Sequence, residues 1–213
     1  MKKLFSVVLV VVALALCSCG IGGIGGGSSN LPTTNVDYQM LSNDAELGKV
    51  YGVVVEKLGD NIKYVDKIRL SIYRPSKEGS IIREGAPDEF YLTITHLYQQ
   101  DKKKLYEMEY SSTLKWETSG ARSVEVYGSV DVEKFRLEDE MFDMSPLTAE
   151  ILSKIVKDAL AKYKDETKYS DQYVDDIIIE RGIVKVSIKG KLSANDLEQT
   201  NYYKADLKGM AVK

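Results

Sequence analysis

The stretch that most constrains the fold runs from Phe90 to Glu117, where apolar and polar residues alternate with period two. Phe90, Leu92, Ile94, His96 and Tyr98 fall on one face of a first segment. After a polar turn through Gln99 to Lys102, Tyr106, Met108, Tyr110, Leu114 and Trp116 fall on one face of a second, with Glu107, Glu109, Thr113, Lys115 and Glu117 on the other. Successive side chains of a strand point to opposite faces, so the pattern predicts an antiparallel hairpin with one buried and one solvated side. A one-sided sheet needs a second layer over its apolar face.

Other segments read as further strands of the same sheet. Val50 to Leu58 is valine-rich and β-branched, and Ile68, Leu70 and Ile72 alternate with Arg69, Ser71 and Tyr73. After Gly120, the residues Val124, Val126, Val130 and Val132 extend the meander, with Gly128 marking a bend or a close backbone approach. Ile177 to Ile179, then Arg181-Gly182, then Val184, Val186, Ile188 and Leu192 predict a tight hairpin, and Tyr203, Ala205 and Leu207 a last strand. Lys189 and Lys191 are expected to be edge lysines of the kind that discourage aggregation. Arg74 to Glu89 carries Pro75, Gly79, Gly85 and Pro87 and reads as a long loop.

One helix interrupts the strands. Ser145 is placed to cap it, with Pro146 at its first position. Leu147, Ile151, Leu152, Ile155, Val156, Ala159, Leu160 and Tyr163 then make a broad apolar stripe opposite Lys154, Lys157 and Asp158. The expected architecture is α+β: a curved, mostly antiparallel sheet of about seven to nine strands with one long amphipathic helix packed on it.

What precedes the sheet is of a different kind. Lys2 and Lys3 lead an almost wholly apolar run from Leu4 to Leu16, closed by Leu16-Cys17-Ser18-Cys19. A positive start, a short apolar run and a small residue before the cut describe a secretory signal. The run falls short of the ~20 residues a bilayer-spanning helix needs. With the aliphatic Leu16, the small Ser18 and then Cys19, the segment resembles a bacterial lipoprotein signal peptide and its lipobox. Cys17 competes, but would set the bulky Leu16 against the cut. The resemblance implies that residues 1–18 are removed and that Cys19 receives a thioether-linked diacylglycerol and an amide-linked acyl chain. Each buried methylene contributes about 0.8 kcal/mol, so two or more chains hold a protein on a membrane.

The chain therefore divides into a signal peptide (1–18), a lipidated Cys19 with a Gly/Ser-rich tether (19–36) and one β-rich domain (37–213). Gly20, Gly22 and Gly25 have dinucleotide-motif spacing, but the motif works only between a strand and a helix, and here it follows an anchor. Both cysteines lie in the signal and lipobox, which leaves the domain no disulfide or thiolate metal site. Removing Lys2 and Lys3 takes the 29 basic side chains to 27 against 32 acids, a balance of −5 that argues against nucleic acid as a partner.

Candidates for chemistry are few. His96 is the sole histidine, in phase with a core face and without a nucleophile motif, so a hydrogen-bonded structural role is expected. Glu138, Asp139, Glu140 and Asp143 before the helix, and Asp165, Glu166, Asp171, Asp175 and Asp176 after it, lack the spacing of a calcium loop. No catalytic residue, metal or cofactor is expected. Among the 14 tyrosines, Tyr73, Tyr91, Tyr127, Tyr202 and the segment Tyr169 to Tyr173 read as outer-face or loop positions suited to recognition.

These observations point to a membrane-anchored envelope lipoprotein with a non-enzymatic structural or binding role, toward a protein, a glycan or another polymer. The alternative is a carrier of a lipid or other hydrophobic ligand, because the expected architecture resembles the half-barrel lipoprotein carriers of bacterial envelopes, on outline and not on any motif. Gly20 stands where an aspartate marks inner-membrane retention, so the resemblance implies the outer membrane, periplasmic side, where two membranes exist.

Overall fold

The computed structural model describes residues 30–75, 86–125, 131 and 133–212. The signal segment, Cys19, residues 76–85 of the long loop, Val126, Tyr127, Gly128, Val130 and Val132 lie outside these. In chain order the elements are α1 (Asp44–Leu58), β1 (Val65–Tyr73), β2 (Glu89–Leu97), β3 (Lys104–Ser111), β4 (Lys115–Ser123), α2 (Ala149–Tyr163), β5 (Tyr169–Glu180), β6 (Ile183–Leu192) and β7 (Glu198–Asp206). Short 3-10 helices occupy Met40–Ser42, Gly59–Lys63 and Leu137–Glu140.

The seven strands form one open antiparallel sheet in the order β4-β3-β2-β1-β5-β6-β7, so Lys189 and Lys191, expected at an edge, lie instead on the inner strand β6, because β7 pairs beyond it. The first strand is central: β2 to β4 step outward on one side of it, and the crossover through α2 returns the chain to its other side for β5 to β7. The α+β class and the strand number are as expected. A single cross-strand row explains the layering, for Leu70 pairs with Leu92, which pairs with Tyr110 and then Trp116, while on the other side it pairs with Ile177, then Val186, then Tyr203. That row meets Leu47, Val50 and Val54 of α1 and Leu152, Ile155, Val156 and Ala159 of α2 in one hydrophobic core. The opposite face carries Arg69, Thr93, Glu109 and Lys185. At one end of that face, Leu97 and Leu105 form a small second cluster with Leu137, flanked by Phe135 and Met141.

Several expectations are corrected. Val50 to Leu58 is not a strand but most of α1, so two helices cover the sheet. The Asn43 side chain accepts hydrogen bonds from the Ala45 and Glu46 amides at 3.0 and 3.2 Å, Asp44 and Glu46 sit in the first turn, and Gly59 ends the helix at a positive φ of 50°. Leu47, Val50, Tyr51, Val54 and Leu58 then share one buried face at helical spacing, and this packing outweighs the β-branched preference of the valines. The Tyr51 hydroxyl donates to the Leu147 carbonyl oxygen at 2.5 Å, tying α1 to the approach of α2, and burial with the nearby Glu150 charge pushes the phenol up to about 12.

The second segment of the predicted hairpin is itself two strands. The chain turns at Ser112 to Leu114, where the Ser111 hydroxyl accepts from the Leu114 amide at 2.7 Å, and Leu114 stands 66% exposed instead of joining the core. Trp116 keeps the face of Tyr110 because it is now its cross-strand partner. Gly120 lies inside β4, at a φ of 79° next to the register shift opposite Glu107 and Met108, so it makes a bulge and not the break before a strand. Thr148, not Ser145, caps α2 by accepting from the Ile151 amide at 3.3 Å; Ser145 is held by Asp143 in the preceding turn. Leu31 and Val36, assigned to the tether by composition, are buried in the core, and the Tyr110 hydroxyl donates to the Pro32 carbonyl oxygen at 2.7 Å. The hairpin at Arg181 and Gly182 is as predicted, both residues having positive φ (51° and 72°) as a type I′ turn requires. Among the described residues, no helix is long and apolar enough to cross a membrane.

Candidate functional site

The helices do not roof the whole apolar face: α1 rests on β2, and α2 on β6 and β7. Beyond α1 the inner side of β3 forms the floor of an open groove of about 400 Å³. Its rings come from the β2–β3 hairpin. His96 and Tyr106 are cross-strand partners, with ring centroids 5.5 Å apart, and Tyr98 stacks on Tyr106 at 5.7 Å with 14° between the planes. The turn that folds Tyr98 back is closed by the Tyr98 amide donating to the Lys104 carbonyl oxygen at 2.9 Å. Met108 continues the floor, Gln99 and Gln100 form the rim at the turn, and Lys57 and Asn61 face them from the end of α1 and the 3-10 helix that follows. The Lys57 ammonium lies 4.9 Å from the centre of the Trp116 ring, itself 5.3 Å from Tyr110.

His96 is 6% exposed, and its Nδ1 lies 2.8 Å from the Leu97 carbonyl oxygen. A carbonyl only accepts, so Nδ1 carries the hydrogen and, in the neutral ring, Nε2 the lone pair. Burial lowers the imidazole pKa below its ordinary value, with the Leu97 carbonyl partly opposing. The neutral form is thus favoured by folding: its stabilising contribution is fully present above the unfolded-chain value near 6.5 and is lost as pH falls through the lower folded value. Urea midpoints at pH 7.5 and pH 5 test this, with the wild type expected to lose more stability on acidification than His96→Gln. An equal loss in both would contradict it.

The lining contains no carboxylate, serine or cysteine to act beside His96, so it offers ring faces, amide donors and acceptors, and one ammonium. The sequence reading placed His96, Tyr98, Tyr106 and Met108 on one face, but not Lys57 and Asn61, because the stretch containing Lys57 was assigned to a strand.

The other candidates are spoken for locally. Asp143 and Asp165 are held below the usual carboxylate range by hydrogen bonds from Ser145 and Thr167. Glu138 pairs with Lys102 at 2.8 Å. Asp176 is buried on the face opposite the helices; desolvation raises its pKa, opposed by Arg69 at 3.1 Å. Among the described residues, no group of three or more His, Cys, Asp or Glu side chains is placed to hold a metal. Tyr73, Tyr91 and Tyr202 are exposed, whereas Tyr169 and Tyr173, read as outer-face or loop positions, are buried. The Tyr173 ring is taken up by Tyr38, edge to face at 5.6 Å. Cys19 and Tyr127 lie outside the described residues. Comparison with protein-family models, with curated proteins and with solved structures finds nothing that matches this chain.

Proposed function

We propose that the chain is a lipid-anchored protein of a bacterial cell envelope whose domain has a non-enzymatic binding role, exercised through the groove beside β3. One observation carries the reading: an open groove of stacked rings and amides lies outside a sheet–helix layer whose apolar side chains are buried against one another. Ligand sites are usually concave and aromatic, with a few convergent polar groups, and this groove has that character. A carrier would instead need inward apolar positions beyond what its core can use. The inner rows here, from Leu70 and Leu92 to Ile177 and Val186, are taken up by α1 and α2.

The sheet, in this reading, curves around the helices; register shifts within β1, between β3 and β4 and along β5 support it, because bulges bend the strands that carry them. The anchor is Cys19, and the domain faces the periplasm from the outer membrane, or the outside in a single-membrane cell. Metabolic labelling with an alkyne fatty acid tests the anchor. Label is expected on the wild type and on Cys17→Ser, and not on Cys19→Ser. Label retained by Cys19→Ser would contradict the assignment.

A further inference from the structure

We infer that the groove beside β3 binds a neutral carbohydrate chain, with a sugar ring lying against Tyr98 and Tyr106 and its hydroxyls meeting Asn61, Gln99 and Gln100. The inference rests on the binding role proposed above and names its ligand class.

Three properties of the groove select sugar. The first is its rings. Aromatic faces are electron-rich, and the C–H bonds on the flat side of a pyranose present a weakly positive, apolar surface to them. Tyr98 and Tyr106 are cross-braced by stacking, so the rings that line the groove are ordered before a ligand arrives, which lowers the entropy cost of binding. The second is hydrogen bonding. A hydroxyl donates and accepts at once, and primary amides supply both functions on one side chain. Three such amides stand around the rings. The third is charge. With no carboxylate in the lining, a cationic ligand would find no counter-charge, and the one ammonium, Lys57, already lies over the Trp116 ring.

The same observations weigh against other occupants. A peptide that binds by adding a strand needs a free strand edge to pair with. The strands that floor this groove have none: β2 is paired with β1 and β3, and β3 with β2 and β4. A lipid chain would leave the rim amides without partners in a dry contact, a cost that open, hydrated sugar binding avoids. The groove is open to solvent, so a ligand longer than the site can extend out of it.

The chain contains one tryptophan, and Trp116 sits behind Lys57, so it reports on the groove without labelling. The test is fluorescence titration of the full-length detergent-solubilised protein with hexasaccharides of glucose, mannose and N-acetylglucosamine, with calorimetry on any that respond. At least one is expected to give a saturable change. Tyr106→Ala is expected to weaken that binding by about tenfold, the loss of one stacking face. Tyr106→Phe, which keeps the ring, should stay within about twofold on the same reasoning. The exposed Tyr202→Ala, on the opposite sheet face, should change nothing. Saturable binding that survives Tyr106→Ala would overturn the site.

A photoreactive side chain at Gln100, irradiated in living cells, separates the two levels of the argument. Crosslinks to an envelope protein with no hexasaccharide binding would overturn the sugar and leave the binding role standing. Silence in both experiments would remove both.

Discussion

Replacing Phe90 with alanine is expected to lower the unfolding free energy by about 3–5 kcal/mol, the loss of a large buried ring plus the cavity left behind. Phe90 is completely buried, pairs with Ile72 across β1 and packs its ring 6.4 Å from that of Tyr110. Neither neighbour is free to collapse into the gap. Ile72 is fixed in the central strand, and Tyr110 is held by the hydrogen bond from its hydroxyl to the Pro32 carbonyl oxygen. Phe90→Leu, which keeps most of the volume, should cost less than about 1.5 kcal/mol. Urea denaturation of the three proteins measures both. A loss below about 1.5 kcal/mol for alanine would mean that the layer between sheet and helices has slack, since a filled core cannot absorb that deletion so cheaply. The experiment therefore bears on function as well as stability, because slack is what a hydrophobic carrier needs.

Arg74→Ala should cost about 2–3 kcal/mol, for a different reason: it removes a buried guanidinium together with its charge-assisted hydrogen bonds and its packing on two rings. Arg74 is 5% exposed at the end of β1. Its Nε lies 3.3 Å from Asp88 Oδ2, its Nη1 3.0 Å from Asp171 Oδ2, and its guanidinium carbon 3.8 Å from the centre of the Tyr38 ring and 4.8 Å from that of Tyr173. One side chain thus joins the segment ahead of α1, the ends of β1 and β2, and β5. Asp171 takes a left-handed φ of 61° there. A lysine cannot reproduce the planar fork or the stacking, so Arg74→Lys should recover less than half of the loss. Denaturation gives the size, and limited proteolysis ahead of α1 shows where it falls. A pull from the proposed anchor would meet the buried Leu31 and the Tyr110–Pro32 hydrogen bond first, and the clasp at Tyr38 behind them.

How much of this was legible depended on whether a stretch had one buried face. The alternation of β1, β2 and β6 follows directly from one face in the core and one in water, and Arg181-Gly182 fixed its hairpin by turn chemistry. The stripe of α2 was equally clear, although its cap lay three residues later than Ser145, because an Asp143–Ser145 turn precedes the helix. The run from Val50 to Leu58 satisfied two periods at once, and short apolar runs cannot be assigned by period alone. The deciding signs were outside the run: Asn43 with Asp44 and Glu46 at one end and Gly59 at the other. The last strand of the first meander was hidden for the opposite reason. β4 is an edge strand with both faces largely wet, so apart from Trp116 it carries no alternation.

The groove was half visible. Tyr98 and Tyr106 share the inner phase on either side of a polar turn, and that pattern places two rings together once the hairpin closes. Lys57 and Asn61 arrive from the end of α1 and the 3-10 helix after it, and no spacing along the chain predicts their approach. Asp176 illustrates the converse. Its acid neighbours suggested a solvated loop, yet it pairs with Ser71 and Ser187 inside the sheet and is nearly buried beside Arg69.

The central claim is that this domain binds its ligand in an open groove and does not carry one inside. Native mass spectrometry with organic extraction, on residues 30–213 purified from a bacterial host, tests it most directly. The predicted result is the mass of the polypeptide alone, with no lipid in the extract. A bound lipid of defined mass, retained in stoichiometric amount, would contradict the claim and make the layer between the sheet and the two helices the site to study.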